Sequence, residues 1–215
     1  MPSEDRKYGF FVTMEGVEGC GKSTKARLLV RRLKAEGHPV LLTREPGGTR
    51  LGRTIRSCLL TPGGRVGPVA EFLLFAADRA QHVAEVVRPA LRRGLIVVSD
   101  RFSDSSRAYQ GFGRGLGLVP VDRINREATG GLKPDLTILL DLPVREGLDR
   151  VGRRGAMTRL DREKLRFHEK VRSAFLVLAT REPDRIRVVD ARLGRQETSE
   201  VIFRHVITGV RRRAK

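Results

Sequence analysis

Residues 9–24 read Gly-Phe-Phe-Val-Thr-Met-Glu-Gly-Val-Glu-Gly-Cys-Gly-Lys-Ser-Thr. The apolar run at 9–14 leads directly into glycines, as a buried strand does when it ends in a turn. Beyond the turn, Ala26, Leu29, Val30 and Leu33 recur at i, i+3, i+4 and i+7. That spacing predicts a helix over 22–36 with one apolar face, stopped by Gly37. Between strand and helix, residues 16–23 satisfy G-x-x-x-x-G-K-[ST], the pattern of a phosphate-binding loop. Gly16, Gly19 and Gly21 let the backbone curl until successive N–H groups face phosphate oxygens, with Val17, Glu18, Cys20 and Thr24 completing the loop. Lys22 supplies an ammonium for the outer phosphates, Ser23 a hydroxyl for Mg²⁺, and the helix its positive end.

Working outward, residues 40–43, 95–98, 136–140 and 186–189 form four more apolar runs of strand length. Pro46-Gly47-Gly48 marks a turn before a short helix over 51–60, and 69–93 reads as a long helical stretch interrupted near Pro89. Strands alternating with helices of this length predict an α/β fold, with a five-stranded, mainly parallel sheet covered by helices on both faces. No repeat or low-complexity linker divides the 215 residues, so a single domain is expected. Asp100, closing the third strand, stands where a carboxylate linked to the metal belongs; a helix cap is the alternative.

Composition excludes several classes. The longest apolar runs fall far short of the ~20 residues a membrane span needs, and the first residues carry no apolar signal core, so the cytoplasm is the expected location. Cys20 and Cys58 do not make a disulfide framework, and His38, His82, His168 and His205 are scattered without metal-site spacing. A net charge of +18 would suit a nucleic-acid binder. Only 8 of the 43 basic residues are lysine, though, and they lie along the whole chain without aromatic interleaving. The excess reads as a GC-rich codon bias, and nucleic acid is not expected as the partner.

A phosphate loop leaves GTPases, ATPases and many kinases open. Four further stretches narrow the choice: Arg44-Glu45-Pro46-Gly47-Gly48-Thr49; Phe75-Ala76-Ala77-Asp78-Arg79-Ala80-Gln81-His82; Asp100-Arg101-Phe102 followed by Ala108-Tyr109-Gln110-Gly111; and Ala128-Thr129-Gly130-Gly131-Leu132-Lys133-Pro134-Asp135-Leu136-Thr137. In content and order they resemble the bacterial thymidylate kinases, over about residues 9–190. The resemblance implies a nucleoside monophosphate kinase fold and the conversion of dTMP and MgATP to dTDP and ADP, commonly by a homodimer. It implies that Phe75 stacks on thymine, that Arg79 reaches an exocyclic oxygen of the base, and that Ser106 contacts its edge. Tyr109 would disfavour a 2′-hydroxyl, Glu18 would take the 3′-hydroxyl, and Arg56 and Arg101 would hold the acceptor phosphate. Glu45 and Gln110, from the same motifs, fall on the acceptor side.

Some members of that family carry an arginine inside the phosphate loop and others carry catalytic arginines in a lid. Here the loop has Gly19, whereas residues 150–164 are rich in guanidinium, with Gly152 and Gly155 as flexible points. This segment is expected to be the lid, with Arg153, Arg154 and Arg159 as catalytic candidates beside Lys22, Arg101 and Asp100. Thr158 stands before Arg159 where the family commonly has Asp, which removes one carboxylate that would orient the lid.

Overall fold

A computed structural model describes residues 9–153, 155 and 157–213. Five strands, β1 (Phe10–Glu15), β2 (Val40–Arg44), β3 (Ile96–Asp100), β4 (Leu136–Asp141) and β5 (Ile186–Asp190), form one sheet in the order β2-β3-β1-β4-β5. All four pairings are parallel. Each strand runs one or two residues past the apolar run that announced it and ends on Glu15, Arg44, Asp100, Asp141 or Asp190. Because the strands are parallel, these charged ends share one edge of the sheet. The chain leaves β1 toward β2 on one side and passes from β3 to β4 on the other, so the crevice above β1 lies at a topological switch point, where α/β sheets bind their ligands.

The helices are α1 (Lys22–Ala35), α2 (Arg50–Leu60), α3 (Pro68–His82), α4 (Arg88–Arg92), α5 (Ser103–Ser106), α6 (Leu118–Thr129), α7 (Val144–Gly152), α8 (Leu165–Arg181) and α9 (Arg195–Arg213). Ala26, Leu29, Val30 and Leu33 are the buried apolar face of α1, as their spacing predicts. Phe10, Val12 and Met14 on β1 join that core, while Phe11, pointing the opposite way, packs with Val83, Val87, Ala90 and Leu91. Alternate residues of one strand thus bury into two layers, as a sheet covered on both faces requires.

Two helical connections differ from the sequence expectation. The 69–93 stretch is not broken at Pro89. It passes from α3 through a π-helical turn, Val83–Val87, into α4, where Arg88 N–H reaches back five residues to Val83 O. Pro89 then sits in the first turn of α4, directly after the π turn, where the hydrogen-bond register of the helix changes. A second π segment, Arg107–Gly113, follows α5 and carries Tyr109 and Gln110. Single π turns cluster at functional sites because they re-aim side chains without ending a helix.

Candidate active site

The phosphate loop is held by close backbone packing on one side and open on the other. A Cβ on Gly19 would lie 2.0 Å from Gly147 O of α7, so only glycine fits, and φ +70° there also favours it. Gly21, at φ +95°, has nothing within 4 Å of the same hypothetical atom, which leaves clear space over the start of α1. Lys22 is buried and donates from Nζ to Gly16 O at 2.9 Å and Val17 O at 2.7 Å, with Cys20 Sγ at 3.4 Å. The loop's own carbonyls satisfy a charge that would otherwise be costly to bury. Thr24, two residues along α1, makes no side-chain hydrogen bond among the described residues. Ser23 Oγ donates to Asp100 Oδ2, so the two groups expected at the metal stand together at the mouth of the loop. Hydroxyl and carboxylate oxygens suit Mg²⁺, which takes few protein ligands and leaves the rest to water and phosphate.

Beside the loop lies a cavity of about 170 Å³ lined by Glu18, Pro46, Arg56, Leu60, Phe75, Arg101, Ser105, Ser106, Tyr109, Gln110, Thr158, Leu160 and Asp161. Seven residues singled out for the acceptor meet here: Glu18, Arg56, Phe75, Arg101, Ser106, Tyr109 and Gln110. The half-buried ring of Phe75, the buried ring of Tyr109, two guanidiniums and two carboxylates around one small space make a slot for a flat, phosphorylated molecule. Arg56 is lowered from its ordinary pKa by burial and by the nearby charges of Arg44 and Arg101, a strain that an anion would relieve. A larger recess of about 510 Å³, between α6 and the loop before β4, shares no residue with the phosphate loop, and its buried charges are mutually paired.

Arg101 joins the loop to the slot. Its NH1 donates to Gly16 O at 3.2 Å and Ser105 Oγ at 3.0 Å, and its NH2 to Tyr109 Oη at 3.2 Å and Glu18 Oε1 at 3.4 Å. It is the one described residue other than glycine with positive φ, +76°, a conformation that costs on the order of 1–3 kcal/mol. Arg101 N–H to Met14 O at 3.1 Å and Ser99 Oγ–H to Arg101 O at 2.7 Å hold it there. Burial works against its charge, but the carboxylates of Glu18, Glu15 and Asp100 outweigh that and keep its pKa above the ordinary value. Burial likewise opposes ionisation of Glu18. Hydrogen bonding from His168 and the charges of Arg101 and Lys22 prevail and bring its carboxyl down to about 2. Tyr109 Oη–H donates to Glu18 Oε1 at 2.5 Å, and burial, with that carboxylate beside it, raises the phenol well above its usual value.

Two acceptor candidates lie behind the slot and do not line it. Arg79 is 1% exposed and donates to Glu45 Oε2 at 2.9 Å, Ser106 Oγ at 3.0 Å, Asn125 Oδ1 at 2.6 Å and Phe102 O at 3.1 Å, using four of its five N–H groups. Glu45 also takes His82 Nδ1 at 2.8 Å, and His82 Nε2 meets Thr43 Oγ1 at 2.6 Å. In this structure the pair braces Ser106 and the turn at Pro46. The lid segment divides similarly. Arg159 is docked, through Nε to Leu59 O at 2.9 Å and NH2 to Glu71 Oε2 at 2.6 Å. Arg153 caps α7 through its backbone N–H to Asp149 O, and its exposed guanidinium has no hydrogen bond or ion pair among the described residues; Arg154 lies outside them. Asp161 Oδ2 takes both Thr158 N–H and Oγ–H at 2.7 Å, so a carboxylate orients this turn although position 158 has none.

Comparison with known proteins agrees with this geometry. The family model for thymidylate kinase matches residues 14–202. A thymidylate kinase of Deinococcus radiodurans is 54% identical over 183 residues, 85% of this chain and 89% of its own. One from Desulfovibrio desulfuricans is 53% identical over 84% and 87% of the two chains, and one from Halothermothrix orenii 49% over 92% and 96%. The chain belongs to the thymidylate kinase family.

Several side chains of this family member went unnoticed in the sequence. Glu15, fully buried beneath the loop, accepts Phe102 N–H at 2.8 Å and Ser105 Oγ–H at 2.6 Å, and so pins the Arg101 segment. Glu71 gathers Arg114, Arg159 and Gln110 on one fully buried carboxylate; burial opposes its ionisation, and their hydrogen bonds lower its pKa nonetheless. Asp78 Oδ1 takes Gly47 N–H at 2.9 Å, fixing the Pro-Gly-Gly turn, and burial with Glu45 nearby pushes its pKa up to about 6. His168 donates to Glu18. The signal available for these was a charged residue on an otherwise apolar face, clearest at His168 between Phe167 and Val171.

Proposed function

We propose that this protein transfers the γ-phosphoryl group of ATP to dTMP, giving dTDP and ADP. The observation that carries the reading is the junction of two spaces at Arg101: an open phosphate loop on one side, and on the other a slot with Phe75, Arg56, Glu18 and Tyr109 on its walls. The loop N–H groups and Lys22 take the donor's phosphates, with Ser23 and Asp100 holding Mg²⁺, which neutralises phosphate oxygens when bound. In the slot, Phe75 stacks on the base, and Ser106 and Gln110 offer polar contacts to its edge. Glu18, ionised at every working pH, accepts the 3′-hydroxyl, and the bulk of Tyr109 opposes a 2′-hydroxyl. Arg56 and Arg101 hold the acceptor phosphate. A phosphate monoester has a second pKa of about 6 and is largely dianionic near neutrality, so it needs no strong base. The work of catalysis is then to align two anions and neutralise the charge between them. A guanidinium from 150–164, with Arg153 the foremost candidate, supplies further positive charge when the segment closes and excludes water.

The same reading takes the chain as one domain acting in the cytoplasm as a homodimer. No helix of the described residues is long and apolar enough to cross a membrane. Val69 and Leu73, one turn apart on α3, are 59% and 49% exposed, and α2, packed beside α3, adds exposed Leu51, an apolar face of the kind a partner copy covers.

The test is dTMP-dependent release of ADP from MgATP. It should vanish with EDTA, and Lys22→Ala should lower it by at least ~10²-fold in a protein that unfolds like wild type. Undiminished turnover in a folded Lys22→Ala protein would remove Lys22 from the chemistry.

A further inference from the structure

His168 lies on α8, fully buried, one residue after Phe167, whose ring meets the imidazole edge-on at 5.6 Å. Its neighbours on the inner face of the helix, Phe167, Val171 and Phe175, are apolar, so packing alone would favour another hydrophobic residue here. The imidazole instead reaches Glu18 Oε2 through Nδ1 at 3.0 Å, and Nε2 has no partner among the described residues. An ionised carboxylate only accepts hydrogen bonds, so Nδ1 carries the proton. The polar investment of this buried side chain is one charge-assisted hydrogen bond.

That bond acts on the one part of Glu18 still available to a ligand. Each carboxylate oxygen has about two acceptor directions. Tyr109 and Arg101 occupy those of Oε1, and His168 occupies one of Oε2. The remaining direction belongs to Oε2, on a side chain that lines the acceptor slot. Where His168 draws that oxygen decides where the last lone pair points.

We infer that His168 is a positioning residue: through Nδ1–H it orients Glu18 toward the acceptor's 3′-hydroxyl and thereby sets the preference for 3′-hydroxylated over 3′-deoxy nucleotides. The inference rests on the proposed role of Glu18. Without the tether the carboxylate turns about its last torsion, and the hydroxyl meets an acceptor that is no longer preorganised. The loss falls on recognition of one substrate group through the Glu18 side chain and leaves Lys22, Asp100 and the backbone of the phosphate loop in place.

The experiment compares kcat/KM for dTMP and 3′-deoxy-dTMP. Wild type should prefer dTMP by roughly 10- to 100-fold, the usual worth of a hydrogen bond to a charged group. His168→Asn places an amide nitrogen where Nδ1 was, and should keep that ratio within about threefold. His168→Gln, whose nitrogen falls at the Nε2 position, and His168→Leu should each lose roughly tenfold of it, mostly as a raised KM for dTMP. Equal ratios in the Asn and Gln variants, or a wild-type ratio in folded His168→Leu, would overturn the inference. If the substitutions do not fold, the nitrogen chemical shifts of His168 in wild type decide: Nδ1 protonated supports it, and Nδ1 unprotonated overturns it. A wild-type enzyme that turns over dTMP but ignores the 3′-hydroxyl refutes the role given to Glu18, and this inference with it. Failure to turn over dTMP at all would instead refute the proposed reaction.

Discussion

Glu15 is a carboxyl with no solvent and no direct cationic partner, and burial, reinforced by the charge of Asp104, raises its pKa from 4.5 to about 7. The folded chain therefore binds a proton there more tightly than the unfolded chain does. This group's contribution to stability is fully present below pH 4.5 and is lost as pH rises through about 7. Glu15→Gln preserves an acceptor for Phe102 N–H and an amide for Ser105 while removing the titration. Measured by urea unfolding, the variant should gain on wild type as pH rises from 5 to 7, by up to ~1.4 kcal/mol per pH unit. A stability difference that stays flat across this window, or moves the other way, would show that Glu15 is ionised in the fold. The residue illustrates a limit of sequence reading. It was visible as the last residue before Gly16, but nothing in the pattern revealed that the N–H groups of Phe102 and Ser105, some ninety positions away, converge on it.

At the scale of elements, what was legible followed from periodicity. The five strands, α1 and the phosphate loop were announced by runs and spacings that local geometry enforces. The sheet order and the π turns were not, because strand neighbours are chosen by tertiary packing, and a π turn adds one residue to a helix without altering its composition. The lid shows the same division. Its arginines were conspicuous in the sequence, but their roles separate only in space, where Arg159 is docked on Glu71 and Leu59 while Arg153 stays exposed at the end of α7, the helix whose Gly147 abuts Gly19. Arg159→Ala should therefore loosen the segment that roofs the acceptor slot and raise KM for dTMP several-fold. Arg153→Ala should lower kcat by at least ~10²-fold with KM little changed, the signature of an interaction made chiefly in the transition state. Steady-state kinetics of the two single variants separate these outcomes. If both leave kcat within a few-fold of wild type, the added guanidinium comes from Arg154 or Arg101.

For the whole molecule, the +18 charge reads differently once the side chains are placed. Arg79, Arg107, Arg114, Arg159 and Arg185 do not decorate the surface; each is paired with a buried carboxylate of Glu45, Asp104 or Glu71. Part of the arginine excess is thus internal scaffolding, beside the slot at Glu45 and Glu71 and beside the larger recess at Asp104, which composition could not distinguish from a solvated coat. The apolar face on α3 is the complementary case, uncharged where most of the surface is charged. Leu73→Arg should convert a dimer to a monomer in sedimentation velocity without unfolding it, since the side chain is half exposed in the isolated chain. A wild-type protein that sediments as a monomer would refute the homodimer, and a variant that remains dimeric would place the contact elsewhere.

Selection of thymidine monophosphate by the slot shows in turnover across a panel of monophosphates. With MgATP and equal acceptor concentrations, dTMP should be used over dUMP by the roughly 1–3 kcal/mol that one methyl is worth in an apolar slot. dUMP should be used over UMP because Tyr109 opposes the 2′-hydroxyl. UMP used as well as dUMP would contradict the role given to Tyr109, and preferential ADP release with CMP or AMP would contradict the assignment of the acceptor itself.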